Sequence, residues 1–284
     1  MAIGQAFITT RPVLIYFALT FAISWGGVLI VVGPGGFPGT REQFETLFPV
    51  AVLAMVAGPS VSGLLLTGLV SGRAGLHEFL SRLLKWRVSA RWYAVALLTA
   101  PLLMMALLLA FSRLSSEFLP GIFASADKTS LVLFGLAVAL AAGIFEELGW
   151  TGFATPRLRQ RYSVLSTGLI VGVWWAVWHE LVAFWASGTT SGALSLASLL
   201  LDPFLFLVIY RVLMVWVYDR TGSLLVAMLM HMSLTASPRI LMPPAIAGGP
   251  LLIFDLAWTA AMCAIVAAVG VASGARPHED RIAE

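Results

Sequence analysis

Residues 130–151 read SLVLFGLAVALAAGIFEELGWT. Apart from Glu146 and Glu147 the run is apolar or small, and about 20 such residues are what an α-helix needs to cross a bilayer. Seven further runs of this kind, bounded by Gly, Pro or charge, lie near residues 12–33, 47–71, 92–113, 163–187, 193–217, 222–242 and 249–272. The whole chain agrees with them: of 284 residues 60% are hydrophobic and only 11% charged. Soluble domains are roughly 45–50% apolar and about 25% charged, so this chain has too few charged side chains to cover a water-facing surface. The sequence therefore predicts an all-α, polytopic membrane protein with about eight transmembrane helices.

The balance of 17 Lys and Arg against 14 Asp and Glu leaves a net charge of +3. Those charges are scattered, whereas nucleic-acid binding needs a basic face, so nucleic acid is excluded as a partner. The one cysteine, Cys263, has no intrachain partner and sits in an apolar run, where it reads as packing. The first run follows Arg11, exceeds the apolar core of a signal peptide and lacks a small-residue cleavage site after it, which predicts a retained helix. A single transmembrane domain is expected over residues 1–272, followed by a mobile polar tail, 273–284, carrying Pro277, His278, Glu279 and Asp280.

Eight spans put both termini on one side, and cytoplasmic loops are enriched in Lys and Arg. The terminal side collects Arg11, Arg73, Arg82, Lys85, Arg87, Arg91, Arg157, Arg159, Arg161, Arg220, Arg276 and Arg281, and the other side only Arg41, Arg113, Lys128 and Arg239. Both termini are thus expected in the cytoplasm, with the protein in the cell (plasma) membrane. Within the second loop, Leu76, Phe79, Leu80, Leu83 and Leu84 recur at helical spacing opposite His77, Glu78, Ser81, Arg82 and Lys85. This predicts one interfacial amphipathic helix ending at Trp86, a surface connector with no chemistry assigned to it.

Ionisable groups inside a span are costly and commonly mark a functional site. Here they fall in three places: Phe145-Glu146-Glu147-Leu148-Gly149-Trp150-Thr151-Gly152-Phe153, then Trp174-Trp175-Ala176-Val177-Trp178-His179-Glu180, then His231-Met232-Ser233-Leu234-Thr235. Residues four apart share a helix face while neighbours diverge by about 100°. Glu146 is then expected to share a face with Trp150, Glu147 with Thr151, Trp175 with His179, and His231 with Thr235. At about 1.5 Å per residue, Glu146 reaches the depth of His179 only if the fourth helix runs on, bent, through Gly152 and Pro156 toward Arg161, or if the fifth is tilted. Asp202, Arg211 and Asp255 also lie in or near spans and have no assigned role.

The first of these segments, continued by Pro156-Arg157-Leu158, resembles the first motif of the CAAX prenyl protease and bacteriocin-processing (CPBP, ABI) family of intramembrane proteases. The Trp-rich fifth run ending in His179 and the seventh carrying His231 resemble that family's second and third motifs, in the same order, over roughly residues 130–240. The resemblance implies an endopeptidase of about eight helices in which a glutamate-activated water cleaves a peptide bond near the membrane surface, with Glu146, Glu147, His179 and His231 as its catalytic residues. Glu146 is the implied general base, His179 holds and polarises the water, and His231 steadies the oxyanion. Thr235, Trp175, Trp178 and Arg157 are the implied supports for substrate and oxyanion, and the implied partners are a peptide or lipidated-peptide substrate and membrane lipids.

Two positions depart from the family pattern. Thr151 stands where the family has Arg, so Glu147 is expected to be protonated, hydrogen-bonded to Thr151, or paired with a basic residue such as Arg157. Thr235 stands where the family often has Asn, and a threonine hydroxyl lacks the amide's reach. His179-Glu180-Leu181-Val182-Ala183 begins like the H-E-x-x-H metalloprotease signature, but Ala183 replaces its second histidine. Zinc is nonetheless the candidate cofactor, with Glu146, His179 and His231 as ligands and water in the fourth position. Two other readings stand beside the protease: a transporter or channel with a proton- or cation-binding carboxylate–histidine cluster, and a non-catalytic immunity or scaffold relative.

Overall fold

The computed structural model describes residues 8, 10–33, 35–189 and 192–274. From residue 275 onward the tail expected to be mobile lies outside the described residues. Eight helices are long and apolar enough to span a membrane: α1 Pro12–Val32, α2 Arg41–Leu83, α3 Ala90–Ser112, α4 Lys128–Arg159, α5 Val164–Ala186, α6 Ala193–Thr221, α7 Leu224–Leu241 and α8 Gly248–Gly274. No strand occurs among the described residues.

Two helices run further than hydropathy alone predicts. α2 begins at Arg41 because Thr40 closes a capping box: its hydroxyl accepts the Gln43 amide at 3.2 Å and its amide donates to Gln43 Oε1 at 3.1 Å. At its other end α2 absorbs the amphipathic segment across a break at Gly72, whose φ of +59° is cheap only for glycine. That segment is more than a surface connector: its Phe79 is buried against Gly152, Leu224 and Met228, and its Arg82 reaches α4.

α4 extends through the motif as the depth argument required. Residues Trp150–Ala154 form a π turn, and Pro156 explains part of it, since proline supplies no N–H for the carbonyl of Gly152. Arg82 Nη2 donates to that carbonyl instead, at 3.2 Å. The Thr155 hydroxyl donates to the Trp150 carbonyl at 2.8 Å, closing the widened turn from within. Trp150, whose N–H still donates to the Glu146 carbonyl, packs against Tyr16, Phe17 and Trp178 and does not line the cavity that Glu146 faces.

Neighbouring helices pair as α1 with α2, α2 with α4, α4 with α7, α7 with α3, α5 with α6, and α6 with α8. Ile30, Leu53, Leu102, Leu133, Leu140 and Val271 remain exposed on outer faces, the composition expected where lipid replaces water. At the α2–α4 crossing a Cβ on Gly149 would stand 2.3 Å from the Pro59 carbonyl oxygen and 2.3 Å from the Tyr16 hydroxyl. Gly149→Ala is therefore expected to cost about 1–3 kcal/mol through overpacking, seen as a lower apparent melting temperature in detergent; an unchanged value would refute this close contact.

Candidate active site

α4, α5 and α7 bring Glu146, Trp175, His179, His231 and Thr235 to one cavity of about 390 Å³. Glu146 is buried, and its Oε2 accepts the indole N–H of Trp175 at 2.7 Å. The same oxygen lies 3.9 Å from His231 Nε2, too far for a direct hydrogen bond. His179 Nδ1 lies 2.8 Å from the Trp175 carbonyl, one turn earlier on α5. A carbonyl only accepts, so this nitrogen carries the proton and Nε2 is left for the cavity.

Glu147 points elsewhere and does not line the cavity. Its Oε1 receives His231 Nδ1 at 2.7 Å and Arg211 Nη2 at 2.8 Å, and its Oε2 receives Arg211 Nη1 at 2.9 Å together with the Thr151 hydroxyl. This is a bidentate guanidinium–carboxylate pair, with both partners fully buried. Since the carboxylate can only accept, His231 donates through Nδ1 and turns Nε2 toward Glu146. Glu147 therefore meets the cavity only through His231, whose Nδ1 it holds.

Arg211 answers the question posed by Thr151. Of the expected alternatives for Glu147 the structure contains the hydrogen bond to Thr151, but the cation comes from α6 and not from Arg157. Gly172 lets α6 approach, for a Cβ there would lie 2.9 Å from the Val208 carbonyl oxygen and 3.2 Å from Arg211 Cβ. The Arg211 guanidinium then stacks over the Trp175 ring at 4.0 Å while it grips Glu147. The Tyr210 hydroxyl donates to the Met230 carbonyl at 3.3 Å and ties α6 to α7 beside His231. The signal for Arg211 in the sequence was a lone cation inside an apolar run; its partner, 64 positions away, left none.

Two of the expected supports lie apart from this cavity. Arg157 stacks on Phe153 at 3.8 Å and donates to the Phe153 carbonyl and the Ser71 hydroxyl, on a separate pocket it shares with Arg11, Arg82 and Arg161. Trp178 is buried behind His179, edge-on to it. Arg239, counted above among the loop charges, instead lines the cavity from the last turn of α7 and donates to the Thr235 carbonyl at 2.8 Å. A carboxylate and two imidazole nitrogens are donors of the kind zinc takes. As they stand, however, no group of three or more His, Cys, Asp or Glu among the described residues is gathered so as to hold a metal ion.

Fold and cavity together define a polytopic helical membrane protein whose buried carboxylate faces two imidazoles. Residues 128–237, which hold Glu146, Glu147, Trp175, His179, Arg211, His231 and Thr235, match the family model for type II CAAX prenyl endopeptidase Rce1-like proteins. CAAX prenyl protease 2 of Methanococcus maripaludis is 26% identical over 170 residues, covering 58% of this chain and 60% of that relative. The chain thus spans less than two thirds of the relative's length. Both matches are to CAAX prenyl proteases, which this chain resembles over the segment that carries the cavity.

Proposed function

We propose that this protein is an intramembrane endopeptidase that uses Glu146 to activate water against a peptide bond. The observation that carries the reading is the 3.9 Å separation between Glu146 Oε2 and His231 Nε2, in a cavity that His179 also lines. Water seated there donates one hydrogen to Glu146 and the other to the Nε2 lone pair of His179. Glu146 removes the first proton as the oxygen attacks the scissile carbonyl, then delivers it to the departing amine; the products are a carboxylic acid and an amine, and no covalent enzyme intermediate forms. With its Nδ1 proton committed to Glu147, His231 steadies the tetrahedral oxyanion only as the imidazolium, donating through Nε2, with the Thr235 hydroxyl as a second donor. Burial of the cavity strengthens each of these interactions relative to water.

The substrate is a peptide or lipidated peptide presented from the membrane, and the wall formed by Trp175 suits an acyl or prenyl chain. The protein resides in the cell membrane with both termini in the cytoplasm. Zinc on Glu146, His179 and His231 belongs to the same proposal only as a cofactor to be tested by chelation; no step above depends on it. Purified protein in proteoliposomes with membrane-anchored peptides is expected to release defined fragments at a single bond. Substrate-coupled ion flux without cleavage would favour the transporter reading, and binding without either would favour the non-catalytic relative.

A further inference from the structure

The same cavity holds an acidic pair that the proposed chemistry does not use. Asp202 of α6 and Asp255 of α8 line it together with Glu146, His179 and His231. Asp255 is 1% exposed, and among the described residues neither of its carboxyl oxygens meets an N–H or hydroxyl donor; the polar group close enough to share a proton with it is the carboxyl of Asp202. The charged group beside it is Asp202, a second acid. Of the residues lining the cavity only Arg239 has a permanent positive charge, and its charged neighbour is Glu146.

Burying a carboxyl without a donor is costly, and the cost is removed by a group that brings both N–H donors and positive charge. A metal ion matches less well, since no three such ligands are gathered. The remaining wall here is apolar, from Leu199, Phe206, Leu251 and Phe254. An acidic end behind apolar walls fits a side chain with a methylene stem and a cationic head. A cavity of about 390 Å³ accommodates one such side chain beside the peptide backbone.

We propose that Asp202 and Asp255 form a specificity subsite for a lysine or arginine side chain of the peptide cleaved at Glu146. The inference rests on the peptidase reading, and it sets the substrate class: a membrane-presented peptide with a basic residue near the scissile bond. The pair recognises the cation and takes no part in the bond cleavage.

The test uses two series of membrane-anchored peptides that differ only at one position, scanned along the residues on either side of the scissile bond as lysine or norleucine. The native protein is expected to cleave the lysine peptide at the preferred position about tenfold or more better in kcat/KM. That preference is expected to reside in KM and to fall to parity in Asp255→Asn and in Asp202→Asn. Binding of fluorescent forms of both peptides to Glu146→Gln, followed by anisotropy, separates the two proposals. Tighter binding of the lysine peptide, lost on adding Asp255→Asn, supports the subsite even if the native protein cleaves nothing, in which case the peptidase reading alone fails. Equal binding and equal cleavage of the two series by the native protein would overturn the subsite and leave Asp202 and Asp255 as a pair that merely shares a proton.

Discussion

Glu146→Gln is expected to lower peptide cleavage by about 10²–10⁴-fold, the usual contribution of a positioned general base, with kcat falling and KM nearly unchanged. The amide keeps the volume of the carboxylate, and its oxygen still accepts the Trp175 indole N–H that Glu146 Oε2 receives at 2.7 Å. Folding is therefore expected to survive, with helical circular dichroism and apparent melting temperature close to native. What is lost is a group able to take a proton from water and return it to the leaving amine. His179→Ala is expected to have a smaller effect, because it removes the acceptor that orients water but leaves the base in place. Equal turnover by the native protein and by both variants would sink the assignment of Glu146.

Why the helices were legible and part of the site was not follows from the range of the forces involved. A span is a local property of about 20 residues, so runs such as 130–151 announced themselves. Their ends depend on shorter-range chemistry that hydropathy averages away: the Thr40–Gln43 capping box starts α2 early, and Gly72 joins it to a segment that read as a separate connector. The extension of α4 was readable from depth, but the π turn at Trp150–Ala154 was not. Glu146, His179 and His231 stood out because hydrocarbon tolerates them only with a reason. Arg211 stood out equally and stayed unexplained, since its partner is set by how closely α6 approaches α5 at Gly172. Arg239 was assigned to a loop because it lies near the end of a run, yet α7 continues through Pro238 and turns it into the cavity.

Arg211→Met is expected to be among the most destabilising single substitutions in this chain, because it strands Glu147 as a buried carboxylate held only by His231 and Thr151. Removing one partner of a buried ion pair typically costs about 3–5 kcal/mol, whereas replacing both with well-packed neutral groups can be nearly neutral. Arg211→Met combined with Glu147→Gln should therefore recover much of the lost stability, a non-additivity that a double-mutant cycle on apparent melting temperature in detergent measures directly. His231 supplies a second readout. In the double variant its Nδ1 still meets an amide oxygen, but the fixed carboxylate that orients the ring is gone, so cleavage is expected to remain impaired although the fold is restored. The decisive variant moves the charge. Thr151 lies one turn beyond Glu147 on α4 and already donates to it, so Thr151→Arg placed in the Arg211→Met background returns a guanidinium to the same carboxylate from its own helix. Recovery of stability and of His231-dependent cleavage together would establish that α6 supplies, across the bundle, the cation that this helix lacks; stability losses that simply add, with no rescue, would mean that Arg211 serves packing against Trp175 more than the charge of Glu147.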